Sequence, residues 1–233
     1  MSNIVATEIK VLSAGALQPG MVKVIDSFRR ETGYGIKVSF ATAPAILKRL
    51  GETNVADVVI APPAVLDEWV NAGKASSAVR VTVGRIGVGV MVREGAPIPK
   101  IATVEEFKQS LLGAEALVYN QASTGIYLET LFDHLGIAGS LKAKTTRYPA
   151  AAAVLNRISK GNDNEIGLGA VTVIIEGERK GLKFVGPLPA EIQNYTTYVA
   201  MVVADGQASA AQEFVRYLTS PGARKTFAAA GIE

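Results

Sequence analysis

The chain has 233 residues, with 24 Lys and Arg against 21 Asp and Glu, a net charge of +3 and no cysteine. Disulfide frameworks, cysteine-ligated zinc or iron–sulfur sites and thiol nucleophiles are therefore excluded. Hydrophobic residues make up 48% and charged residues 19%, the balance of a globular chain of about one or two domains.

The basic residues fall in isolated pairs (Arg29 and Arg30, Lys48 and Arg49, Arg179 and Lys180, Arg224 and Lys225) without interleaved aromatics, so nucleic acid is not an expected partner. Residues 1–8 carry no signal-type apolar run, and no apolar stretch approaches the ~20 residues of a membrane span. The expectation is a cytoplasmic protein as the sequence stands, periplasmic if a signal peptide was removed, with no membrane insertion.

In chain order, 9–13 reads as a buried strand, 21–32 as an amphipathic helix, 36–40 as a strand, 46–50 as a short helix and 57–60 as a third strand. Pro62-Pro63 opens a helix through Trp69 that Gly73 closes. Residues 81–92 then form a long strand interrupted by Gly84, Gly87 and Gly89. Thr103, with Glu106 three residues on, has capping-box spacing. It opens a second series: strand 116–119, helix 126–135, strand end 145–148, helix 149–159, strand 166–168 and helix 172–178. Gly186-Pro187-Leu188-Pro189 reads as an interruption, 195–203 as a returning strand, and 208–219 and 221–230 as closing helices. Two α/β series joined by one strand going out and one coming back predict an α/β protein of two lobes, 1–83 plus 195–233 and 84–194, with a cleft between them.

Four loops follow strand ends and precede helices: Ser13-Ala14-Gly15-Ala16, Ala41-Thr42-Ala43-Pro44, Gln121-Ala122-Ser123-Thr124-Gly125 and Arg147-Tyr148-Pro149-Ala150. A helix start carries open N–H groups and about half a positive charge, so several starts converging on one place attract an anion without basic side chains. The plain alternative is that Thr42 and Ser123 are ordinary helix caps. His134, the single histidine, shares a helix with Glu129 and Asp133, a pattern more in keeping with surface charge than with a metal or acid–base site; neither a metal nor a cofactor is expected. No Gly-x-Ser-x-Gly elbow is present, and the glycines at 84, 87 and 89 lie inside a strand rather than in a dinucleotide-binding turn. Trp69 reads as core, and Asp57 as a partner for backbone N–H groups.

The runs Ile9-Lys10-Val11-Leu12-Ser13-Ala14-Gly15-Ala16-Leu17, Val38-Ser39-Phe40-Ala41-Thr42-Ala43, Ala56-Asp57-Val58-Val59-Ile60-Ala61 and Glu165-Ile166-Gly167-Leu168-Gly169 resemble the periplasmic type II solute-binding proteins, and within them the molybdate-binding subgroup. The resemblance covers nearly the whole chain and implies two lobes with two hinge strands that close over a small ligand. The subgroup's two serine donors to a tetrahedral oxyanion match Ala16 and Ala43 here, and its tyrosine is replaced near Gly169 or Ala170. Each lost donor costs roughly 1.5–3 kcal/mol toward a charged group. The resemblance with these departures implies a small organic carboxylate rather than molybdate, held by Thr124 or Arg147 and walled by Tyr148 or Tyr195. A transporter membrane subunit is a partner if the chain is exported. Two alternatives stand beside capture: an isomerase or tautomerase of a small organic acid on the same cleft, since helix starts that hold a carboxylate also stabilise an enolate, and the effector-sensing domain of a regulator.

Overall fold

The computed structural model describes residues 8–52, 56–203 and 208–233. The chain divides into two compact units, Met1–Arg85 with Thr197–Glu233, and Ile86–Thr196; the breaks read from the sequence fell at 83/84 and 194/195.

In the first unit, β1 (Glu8–Ala14) lies between β2 (Gly35–Ala41) and β3 (Val58–Ala61), all parallel, and β9 (Tyr195–Val203) pairs antiparallel with β3. Helices α1 (Gln18–Thr32), α2 (Ala43–Lys48) and α3 (Pro63–Asn71) follow the three parallel strands in turn. Apolar residues at helical spacing make α1 amphipathic: Met21, Val24, Ile25 and Phe28 are buried, each contributing about 1.5–3 kcal/mol relative to exposure. Its end is set by Gly33 at φ 77°, whose N–H bonds Arg29 O at 3.0 Å, the left-handed C-terminal stop that glycine adopts without steric cost. Asp57 does satisfy main chain: the Lys10 N–H donates to its Oδ2 at 2.7 Å. Trp69 is buried on α3. Helices α9 (Ala208–Tyr217) and α10 (Pro221–Ala228) complete this unit, α10 packing on α1.

The long β4 (Ala75–Arg93) leads into the second unit. There the sheet order is β8 (Leu182–Pro187), β4, β7 (Glu165–Ala170), β5 (Ala116–Asn120), β6 (Thr145–Tyr148), with β5, β6 and β7 parallel and β4 antiparallel to both neighbours. One face packs on α4 (Val104–Gly113), α5 (Ser123–His134) and α6 (Ala138–Lys142) around Phe107, Leu128, Phe132 and Leu141. Helices α7 (Ala151–Ser159) and α8 (Val171–Gly177) contribute Val154, Leu155, Ile158 and Ile174 to a second core with Met91 and Val118. The capping box forms at α4, where Thr103 Oγ1 accepts from Glu106 N at 3.1 Å, but the Glu106 carboxylate accepts from Ala102 N at 3.0 Å, one residue earlier than the motif prescribes.

Four readings of the sequence need correction. Helix α5 begins at Ser123, not 126, because a close contact described below requires Gly125 inside the helix. Strand β4 begins at Ala75, not 81. Strand β8 runs through Gly186 to Pro187; a proline at the end of a strand costs little because no further ladder N–H is required there. The short α6, whose five residues lack a full helical repeat, was not foreseen.

Candidate functional site

Parallel pairing puts the carboxyl ends of β1, β2 and β3 at one edge of the first unit, with Ala14 opposite Ala41 and Ser13 opposite Ile60. Ser13, Ala14, Gly15 and Ala16 lie there beside Thr42 and Ala43. Ser13 is fully buried and its hydroxyl donates to Ala14 O at 3.3 Å. In the second unit the pairing of Asn120 with Tyr148 and of Val118 with Gly167 sets Ser123, Thr124, Gly125, Tyr148 and Gly169 at one edge as well.

The helix starts at these edges share a property. Six helices (α1, α2, α3, α5, α7 and α8) follow parallel strands, and none has a side-chain cap. By contrast α4 and α10, which begin away from strand ends, are capped by Thr103 and Ser220. Thr42 occupies the N-cap position of α2 without bonding an amide, and the N-cap of α5 is Ala122, so Ser123 is already inside the helix. The reading of Thr42 and Ser123 as ordinary caps is thereby overturned. Their hydroxyls and the amides behind them stay open to a ligand.

The two units differ in how many amides they offer. A proline stands in the first turn of α2 and α3 (Pro44 and Pro63), and each removes one open N–H; α1 is entered from a 3-10 turn over Gly15–Leu17, in which Gln18 N donates to Gly15 O. Helix α5 opens on Ser123-Thr124-Gly125 with all three N–H groups present. In α7 the Ala153 N–H turns back onto Ala150 O at 3.2 Å.

The α5 start is also the most tightly built. Asn120, only 8% exposed, accepts from Ala122 N through Oδ1 at 3.0 Å, and Gln121 N donates to Tyr148 O at 2.9 Å. A Cβ at Gly125 would lie 1.7 Å from the Asn120 carbonyl oxygen, so the helix sits directly against the strand end and only glycine fits. Sequence reasoning named Gly125 but missed Asn120, whose signal was an Asn directly ending an apolar strand, the position of an Asx turn.

Arg147 is engaged rather than open. It ion-pairs with Glu129 of α5 and lies over the Tyr119 ring at 5.7 Å from the centroid, with Nε buried and without a hydrogen-bond partner. Burial, with the Glu129 charge, pushes the Tyr119 hydroxyl up, and Arg147 opposes that shift. Tyr148 packs against the core formed with α7. Tyr195, 39% exposed, opens β9. His134 is exposed at the end of α5. Among the described residues no group of three His, Cys, Asp or Glu could hold a metal ion, and no helix is long and apolar enough to cross a membrane.

Comparison with known proteins agrees with this architecture. Residues 9–233 match the family described as bacterial extracellular solute-binding protein. Aconitate isomerase of a Pseudomonas species is 31% identical over 238 residues, covering 97% of this chain and 88% of that protein. The molybdate-binding protein ModA of Escherichia coli (strain K12) is 24% identical over 228 residues, covering 94% and 86%. Among solved structures, the periplasmic molybdate-binding protein of Azotobacter vinelandii superposes with a TM-score of 0.79 at 18% identity, covering 97% of this chain and 98% of that one. The fold is that of the two-lobed periplasmic binding proteins, and the chain belongs to the bacterial extracellular solute-binding protein family.

Proposed function

We propose that the protein binds a small organic acid, with a carboxylate seated on the open amides and hydroxyls at the start of α5. The observation that carries this is the Asn120–Gly125 turn: the glycine contact fixes the helix start, and neither Ser123 nor Thr124 is used as its cap. Preorganised N–H groups of this kind hold a carboxylate without rearrangement. The methyl groups of Ala14, Ala16 and Ala43 at the first unit's strand ends suit the carbon skeleton of an organic acid better than a bare oxyanion. At the second unit's edge the ligand-binding set is Ser123, Thr124, Gly125 and Gly169, with Arg147 bracing α5 through Glu129 and Tyr148 packed behind; at the first unit's edge Ser13, Ala14, Gly15, Ala16, Thr42 and Ala43 form a set of their own. As a solute-binding protein the chain would deliver its ligand to the membrane subunit of an ABC transporter.

A second reading is favoured by the 31% identity to aconitate isomerase: the chain interconverts isomers of an unsaturated polycarboxylic acid. The step is an allylic proton shift. A proton leaves the CH2 beside one carboxylate, the double bond moves to that carbon, and a proton returns at its far end, so the atoms balance without a cofactor. Helix-start amides would stabilise the enolate between the two transfers. The loops at the strand ends offer hydroxyls but neither a carboxylate nor the histidine for the transfer itself, which is why capture stands first.

One panel tests both readings. Thermal shifts are measured with trans-aconitate, tricarballylate, citrate, molybdate and sulfate, and the same tubes are followed by proton NMR. A specific ligand at 100 times its Kd adds about 2.7 kcal/mol to stability. Stabilisation by organic acids alone supports capture, and appearance of the other isomer establishes the enzyme. Stabilisation by molybdate alone refutes both. Thr124→Ala should weaken binding while His134→Ala leaves it unchanged.

A further inference from the structure

Asn120 ends β5 at the edge where α5 begins, and its amide head is only half used. The Ala122 N–H donates to one atom of that head at 3.0 Å. The accepting atom must be the oxygen, because an amide nitrogen only donates. Nδ2, with its two N–H donors, is thereby fixed on the other side of the planar head, and it has no partner among the described residues.

Buried polar groups are normally hydrogen-bonded, and Asn120 is 8% exposed. Among the described residues, the side-chain atoms that are both sealed and unpaired are Trp69 Nε1 and Arg147 Nε. Asn120 Nδ2 is not one of them, so this unpaired donor of a buried side chain keeps a surface that a guest can touch. Its neighbours do not fill the place. Tyr148, opposite Asn120 in the β5–β6 register, packs against the core under α7. Gly169, which stands two residues past the Val118–Gly167 pair just as Asn120 does, has no side chain to offer.

We propose that Asn120 is a specificity-determining residue whose Nδ2 donates to an oxygen of the organic acid held at the α5 start. The inference rests on the reading of that start as a carboxylate site. Helix amides and Nδ2 are all donors, and the one acceptor of the Asn120 head is spent on Ala122. A ligand atom placed there must accept, as a carboxylate oxygen does and an ammonium group cannot.

Asn120→Asp separates the two uses of the head. An aspartate oxygen can still accept from Ala122 N, but both donors are gone and a negative charge meets the ligand. Titration calorimetry with trans-aconitate and tricarballylate is run on the parent, Asn120→Asp and, as a control for the added charge, Asn156→Asp at an exposed position of α7. One lost hydrogen bond toward a charged group gives roughly ten- to a hundredfold in Kd. With the repulsion added, Asn120→Asp should weaken binding by about a hundredfold or more, and Asn156→Asp by less than about threefold because its charge is screened. Circular dichroism checks the fold. A second measurement needs no variant: the Asn120 side-chain NH2 signals of the parent, assigned through the residue's own backbone, should move in the NMR spectrum as either acid is added. The parent's Kd in a folded Asn120→Asp protein, or NH2 signals that stay fixed while the Ser123, Thr124 and Gly125 amides move, overturns the role of Asn120 and leaves the α5 carboxylate site standing. A parent that binds neither acid overturns both readings.

Discussion

Gly125→Ala probes the helix start on which the proposed site rests. The added methyl would stand 1.7 Å from the Asn120 carbonyl oxygen, 2.8 Å from its carbon and 3.3 Å from the Tyr119 ring. Because strand and helix are both packed, restoring an ordinary separation moves the start of α5 by about 1.5 Å. Overpacking of this kind costs about 1–3 kcal/mol, and the better helix propensity of alanine returns up to about 1; a net loss of about 1–2 kcal/mol is expected in urea denaturation without ligand. Binding should suffer more. A hydrogen bond of ordinary length lengthened by that shift no longer forms, and each one lost toward a carboxylate is worth about 1.5–3 kcal/mol, or roughly ten- to a hundredfold in Kd. Titration calorimetry with the best organic acid from the panel measures it, and Gly222→Ala, where no atom lies within 4 Å, is the control. A folded Gly125→Ala variant with the parent's Kd would show that the α5 amides do not hold the ligand.

Three further outcomes are expected. Glu165 is 4% exposed and bonded by both terminal nitrogens of Arg157, one at 2.6 Å; Arg157→Ala strands that carboxylate and should cost about 2–4 kcal/mol in urea denaturation, toward the low end of a broken buried pair because Arg157 is partly solvated. The Tyr217 hydroxyl is pushed up to about 12 by burial and by its 2.6 Å hydrogen bond to Glu31. Its folded value lies above its unfolded one, so its contribution is complete below pH 10 and fades as pH rises toward 12; the stability gap between the parent and Tyr217→Phe should shrink across that window. Finally, Ala16→Ser with Ala43→Ser should raise affinity for molybdate relative to the organic acids, measured by competition; an unchanged ratio would show that these methyl groups do not set the choice.

The alternation of strand and helix, the long crossing strand and the return at 195–203 were legible because period and punctuation are local properties of the chain. Legibility failed where a distant contact decides. Gly125 belongs to a helix only because Asn120 lies beneath it, and a run of Ser, Thr and Gly gives no local sign of that. Arg147 reads from the sequence as a free cation beside a cleft, but its partner, Glu129, lies 18 residues away on α5. The glycines of β4 signalled close approaches without saying to what; Gln193 and Phe184 prove to be the neighbours of Gly87 and Gly89. Conversely, Thr42 and Ser123 looked like caps because a capping residue and an uncapped one have the same letter.

Helix starts left bare at strand ends also bear on how such a chain can change over generations. A donor supplied by the main chain survives every replacement of its own side chain except proline, so the attraction for negative charge is inherited with the fold. What mutation can freely edit is the fringe of methyls and hydroxyls around it, and a lineage can thereby exchange one acid for another without passing through a form that holds nothing.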